Sequence, residues 1–207
     1  MLLQFFLYMS SSPITYCAIR KGQFNVNGLS HYTGKSDDFQ EFAKGLYVHF
    51  GIKYPKFHKM DQLCKLGFLG SEYLLNQLSK DQKAQTGLLM LNSASSLDTD
   101  IKHYNAYQKS KASPAIFVYT LPNIVIGEVS IRHKIHGESN FLVAPQFDAP
   151  LIMAQVDIMF KETDLNYALV AWVDLIKASY EGMFFLLSKK EFKSLSAEDI
   201  ESIYAKP

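Results

Sequence analysis

The period of apolar and polar positions changes several times along the chain, and each change marks an expected element. Residues 2–9 are apolar except for Gln4. That run is too short to cross a bilayer, and no Lys or Arg precedes it as in a secretory signal. It is expected to be a buried edge strand or an overlong start. Residues 14–19 read as a strand, and residues 22–35, rich in Gly, Asn and Ser, as a loop. Phe39, Phe42, Ala43, Leu46, Tyr47 and Phe50 recur at helical spacing. Met60, Leu63, Cys64, Gly67, Phe68, Leu74, Leu75 and Leu78 do so over a longer span, which predicts a second amphipathic helix. A buried strand follows at residues 88–91, then a helix at residues 99–108.

Ser113-Pro114 opens an apolar stretch over residues 115–121. Pro122 and Asn123 then start an expected helix, since Pro is tolerated in the first turn, and Gly137 is the expected stop. Gly127, inside it, is expected to permit close helix packing. Residues 141–144 read as a strand. Asp148 is an N-cap candidate with Pro150 just after it, and Ala149, Ile152, Met153, Val156 and Phe160 give the next helix its buried face. Residues 167–173 and 183–187 are expected as adjacent antiparallel strands, with Glu181-Gly182 in the turn between them. Ser196 and Asp199 form a capping-box pattern for a last helix. Alternating strands and helices predict an α/β fold, residues 1–207 forming one domain with a sheet covered by helices.

Composition narrows the function. Apolar types make up 48% of the residues and charged types 20%, as in ordinary globular proteins. With 21 Lys and Arg against 20 Asp and Glu, the net charge of +1 argues against a nucleic-acid-binding surface. Cys17 and Cys64 form no paired motif, so they are expected as core residues in a reducing, cytoplasmic setting. His133 and His136 have no third ligand at metal spacing and are expected on a helix surface. Lys189-Lys190 reads as a solvated loop.

A strand that bends sharply into a helix exposes one residue beside free helix N–H groups, a favoured place for a nucleophile. At the expected bend, Pro145-Gln146-Phe147, that residue is Gln146, whose carboxamide only exchanges hydrogen bonds. The order Ser113-Pro114, Leu121-Pro122-Asn123, Gly127, Ile135-His136-Gly137 and the strand at residues 141–144 resembles the β-ketoacyl synthase group of the thiolase-like fold. So does the stretch at residues 54–61, which reads YPKFHKMD. The family's nucleophilic cysteine falls nine residues beyond the glycine matched by Gly137, which is Gln146 here. The family's catalytic histidines belong to a second half, and no G-T-x-x-x-D or K-x-x-x-G-H follows Leu187. The usual glycine pair is replaced by Ala171-Trp172-Val173-Asp174.

The resemblance implies half of a thiolase-like fold, a mixed and mostly parallel sheet of about five strands. Glutamine at that position is also what chain-length-factor subunits carry. The resemblance therefore implies a non-catalytic subunit that pairs with a full-length ketosynthase and meets acyl carrier protein, with a homodimer possible alone. It implies no cofactor and no metal, and fatty acid, polyketide or aryl polyene synthesis as the setting. The tunnel or interface positions it implies are Ile116, Phe117 and Thr120, then Asn140, Phe141, Val143, Pro145, Gln146 and Phe147. Bulky side chains there would limit chain length, each buried CH₂ being worth about 0.8 kcal/mol. Two alternatives are a malonyl-thioester decarboxylase using Gln146 as an oxyanion donor, and a free-standing carrier-protein or acyl-binding scaffold.

Overall fold

The computed structural model describes residues 14–206, so the apolar run at residues 2–9 lies outside the described residues. One seven-stranded sheet organises the chain. Its strands are β1 (Thr15–Arg20), β2 (Gln23–Val26), β3 (Leu29–Thr33), β4 (Thr86–Asn92), β5 (Ser139–Val143), β6 (Tyr167–Ile176) and β7 (Ser179–Ser188). They lie in the order β3-β2-β1-β7-β6-β4-β5. The α/β class is as expected, but the strand count and the parallelism are not. Only β4 pairs in parallel, with β5 and with β6; every other pairing is antiparallel.

Two tight turns explain the difference. Residues 22–35, expected as a loop, form most of the β1–β2–β3 meander. Its turns are Lys21-Gly22 and Asn27-Gly28, with both residues of each at positive φ. That is the geometry of two-residue hairpin turns, which Asn-Gly favours. β6 and β7 are neighbours, as expected, but both are longer. Glu181 and Gly182 pair with Asp174 and Val173 inside the ladder, and the turn falls at Lys177-Ala178.

One sheet face is covered by α1 (Phe39–His49), α2 (Gln62–Leu75) and α6 (Ile124–His133). α2 lies close on the sheet. A Cβ on Gly70 would meet the Phe184 ring at 2.3 Å, and one on Gly67 would meet Val125 of α6 at 2.3 Å. Gly127, expected to serve that purpose, has open space around it. α6 ends earlier than expected, at left-handed Lys134. Gly137 instead passes close to β4, where a Cβ would meet the Thr86 carbonyl at 2.5 Å.

The other face is covered by α7 (Ala149–Glu162), α8 (Lys189–Phe192) and α9 (Ala197–Tyr204). Lys189 and Lys190 thus begin a short helix rather than a loop, capped where Ser188 accepts from the Glu191 N–H. Leu89, Leu91, Val170, Trp172, Met183 and Phe185 are all buried on this face. Among the described residues the sheet is therefore covered on both sides. The remaining helices are α3 (Lys80–Ala84), α4 (Leu97–Gln108) and α5 (Pro114–Val118).

Candidate functional site

β5 is an edge strand. It pairs with β4 from Leu88↔Ser139 to Asn92↔Val143, and no described strand pairs with its other edge. The Ala144 N–H still donates to the Asn92 carbonyl at 2.9 Å, and Pro145, which has no N–H, then turns the chain out. Pro145 and Gln146 form an exposed bend, Phe147 is buried, and Asp148 caps α7. Gln146 therefore sits at a strand-to-helix corner.

The helix mouth beside it is largely occupied. The Leu151 N–H donates to the Asp148 carboxylate at 2.8 Å, and the Ile152 N–H donates to the Asp148 carbonyl at 3.0 Å. Pro150, in the first turn, has no N–H to offer. An anionic N-cap also opposes an incoming negative charge. The corner presents a carboxamide rather than a ready anion hole. Cys17 and Cys64 are buried on β1 and α2, and burial pushes both thiols well above the usual range.

The other expected positions lie on β5 and on or just after α5. After β4, Asn92 closes a turn by accepting from the Ser95 N–H and donating to its carbonyl. Ser96 then donates to the Thr120 carbonyl at 2.6 Å, tying the start of α4 to the end of α5. Ile116 is half-buried on α5, while Phe117 is 60% exposed with its ring 5.5 Å from His103. Asn140 and Phe141 are half-buried on β5, and Val143 is 58% exposed. Leu97, Ile101 and Tyr104 recur on one face of α4 and are exposed, as are Val118 and Leu121. Two surface hollows occur elsewhere, one at Tyr107, Gln108, Ser110 and Ala112, the other between Pro150 and α9; neither is lined by Gln146 or α5.

Beneath α5 lies a polar cluster. Tyr119 donates to Glu128 at 3.3 Å, and Lys56 pairs with the same carboxylate at 2.8 Å. Burial, then the Glu128 charge, pushes the Tyr119 hydroxyl well above its usual range, so it remains a donor. Asp61 caps α2 through the Cys64 N–H and accepts from Thr99 of α4 at 2.6 Å. The stretch at residues 54–61 thus holds α4 through Asp61, and its Lys56 shares the Glu128 carboxylate of α6 with Tyr119, just after α5.

His133 is not on the surface. It is buried, with Nε2 3.0 Å from Glu72, which Arg132 grips through Nε and a terminal nitrogen. The clue was Glu72 itself, an acid inside the apolar run Phe68–Leu75. His136 is exposed beyond the helix. Among the described residues no group of three His, Cys, Asp or Glu is placed to hold a metal ion, and no helix is long and apolar enough to cross a membrane.

No family model matches the chain, and no curated protein matches it. Solved structures do. A chain of the ketosynthase ApeO in complex with its chain length factor ApeC, from Xenorhabdus doucetiae, aligns with a TM-score of 0.57 at 16% identity, over 84% of this chain and 77% of that one. The ishigamide ketosynthase/chain length factor aligns with a TM-score of 0.60 at 15% identity, over 86% of this chain and 62% of that one. A type II polyketide synthase ketosynthase structure with its acyl carrier protein, AntDE:AntF, gives 0.52 at 10% identity, over 86% and 64%. The chain spans less than two thirds of the latter two. What these alignments establish is the architecture: this chain has the fold of the ketosynthase and chain length factor structures.

Proposed function

We propose that this chain is a non-catalytic, chain-length-factor-like subunit that pairs with a full-length ketosynthase through β5 and the apolar surface of α4 and α5. The observation that carries the reading is a strand-to-helix corner bearing Gln146 at the end of β5, whose outer edge pairs with no strand among the described residues. An edge strand displays free N–H and C=O groups and readily adds a strand from another chain. Val143 on β5, and Phe117, Val118, Leu121, Ile101 and Tyr104 on or next to α4 and α5, expose apolar surface of the kind found at protein interfaces. The ketosynthase–chain length factor structures described above fit this reading. Residues 1–207 act as one domain, and Ile116, Phe117 and Thr120 border the acyl path only once the partner is in place. The setting is polyketide or fatty acid synthesis, with acyl carrier protein as the carrier of the growing chain.

The decarboxylase reading has less physical support, because Asp148 already occupies the N–H groups that would stabilise an enolate. Purified protein is therefore expected to release no more CO₂ from malonyl carrier protein than its Gln146→Ala variant. The scaffold reading is separated by association state: it requires a chain that stays monomeric and forms no mixed dimer. The pairing itself is tested by affinity purification of the tagged chain from its native host. Co-purification of a ketosynthase supports the subunit reading; recovery without any ketosynthase contradicts it.

A further inference from the structure

The corner that presents Gln146 is gripped from the far end of the chain. Phe147, the residue after Gln146, lies flat against Tyr204 at the end of α9, with ring centroids 3.8 Å apart and planes 1° from parallel. On its other sides Phe147 meets Trp172 edge-on at 6.1 Å and Phe185 at 6.4 Å.

Tyr204 is itself held at several points. Its hydroxyl donates to Glu181 of β7 at 3.0 Å. Burial, then the Glu181 charge, pushes that hydroxyl up to about 12, so the donor persists through the neutral range. Arg20 of β1 stacks over the Tyr204 ring at 4.8 Å and pairs with Glu181 at 2.6 Å. The same guanidinium donates to the carbonyls of Tyr204 at 2.9 Å and Lys206 at 2.6 Å. Tyr204 is the last residue of α9 and Lys206 lies two residues beyond it, so no further turn of helix satisfies these carbonyls, and a cation there also suits the helix dipole. The start of α9 is fixed by the Ser196–Asp199 capping box, and Ile200 and Ile203 are buried against the sheet.

We infer that α9 is a strap that fixes the Pro145–Gln146–Phe147 corner, with Tyr204 as its positioning residue. The strap works through the ring stack: Arg20 and Glu181 hold Tyr204, Tyr204 holds Phe147, and Phe147 sets where the chain leaves β5 and enters α7. The direction in which Gln146 is presented thus depends on the last helix of the same chain. This goes beyond the pairing reading and does not depend on it.

Hydrogen–deuterium exchange on the isolated protein tests the strap, with Trp172, the one tryptophan in the sequence, as a second probe. Tyr204→Leu keeps apolar volume but removes the stack. It is expected to speed exchange of the Leu151 and Ile152 amides about tenfold, the equivalent of losing one strong aromatic pair. Trp172 emission is expected to shift, while central amides of β4 and β6 keep wild-type protection. Tyr204→Phe keeps the ring, loses only the bond to Glu181, and is expected to match wild type at Leu151 and Ile152. Three results would overturn the inference: wild-type exchange at those two amides in Tyr204→Leu, equal acceleration at the sheet centre, or a Tyr204→Phe variant that behaves like Tyr204→Leu.

Discussion

Glu72 ties α2 to α6 through Arg132 and His133. It is 2% exposed, yet charged. Burial alone would raise its pKa; the hydrogen bonds and charges of Arg132 and His133 outweigh that and bring it to about 2. Since the folded value is depressed, the stabilisation is fully present above the ordinary carboxylate range and is lost as pH falls toward about 2. Urea unfolding is expected to show wild-type stability falling between about pH 5 and pH 2. Glu72→Gln leaves the Arg132 guanidinium without its carboxylate partner and is expected to cost about 3 kcal/mol at pH 7, with a flatter acid limb. A second test at this scale is Gly70→Ala. Its Cβ would meet the Phe184 ring at 2.3 Å, so overpacking of about 1–3 kcal/mol is expected in the same assay. Single residues were unevenly legible from sequence. Asp148 and the Ser196–Asp199 pair announced their caps because capping is local. His133 did not, because its partner lies 61 positions away on another helix. Gly127 misled for the same reason: spacing shows that a small residue is present, not what approaches it.

Among elements, helices and buried strands followed the apolar period, and the misses cluster at turns. Asn27-Gly28, flanked by Phe24 and Val26 on one side and Leu29 on the other, is a hairpin signal inside what composition suggested was a loop. Counting Gly, Asn and Ser hid it. The extra strands made the sheet mostly antiparallel, because two-residue turns can join only antiparallel neighbours. Gly28→Val is expected to destabilise the chain by about 1 kcal/mol or more, since Gly28 has φ +80° and a branched side chain resists that region; chemical denaturation checks it. The strand edge makes a different prediction. Val143→Lys places a charge on an exposed position of β5 and is expected to leave unfolding free energy within about 0.5 kcal/mol of wild type. It is expected to weaken association with a ketosynthase, and any self-association seen by sedimentation, because charged edges resist strand addition.

For the whole molecule, the corner at residues 145–147 was legible because a strand, a proline and a capped helix follow one another in sequence. The docking of α4 against the end of α5 and the start of α2 was not, because it depends on bonds such as Ser96 to Thr120 and Thr99 to Asp61. A sheet covered by helices was expected, and so was the buried face of α7; that α7, α8 and α9 share the second sheet face was not legible, because periodicity shows which side of a helix is buried and not against what. Most of the large apolar side chains left exposed lie on or next to α4, α5 and the end of β5, while Leu29, Val48, Ile131 and Ile158 are exposed singly on other elements. The most direct measurement is multi-angle light scattering on the tagged chain co-expressed with the ketosynthase of its native host, run beside the Phe117→Asp, Val143→Lys double variant. A stable mixed dimer for wild type, lost in the folded double variant, is the expected result. A wild-type chain that elutes alone as a monomer, or a mixed dimer that the double variant forms equally well, would contradict it.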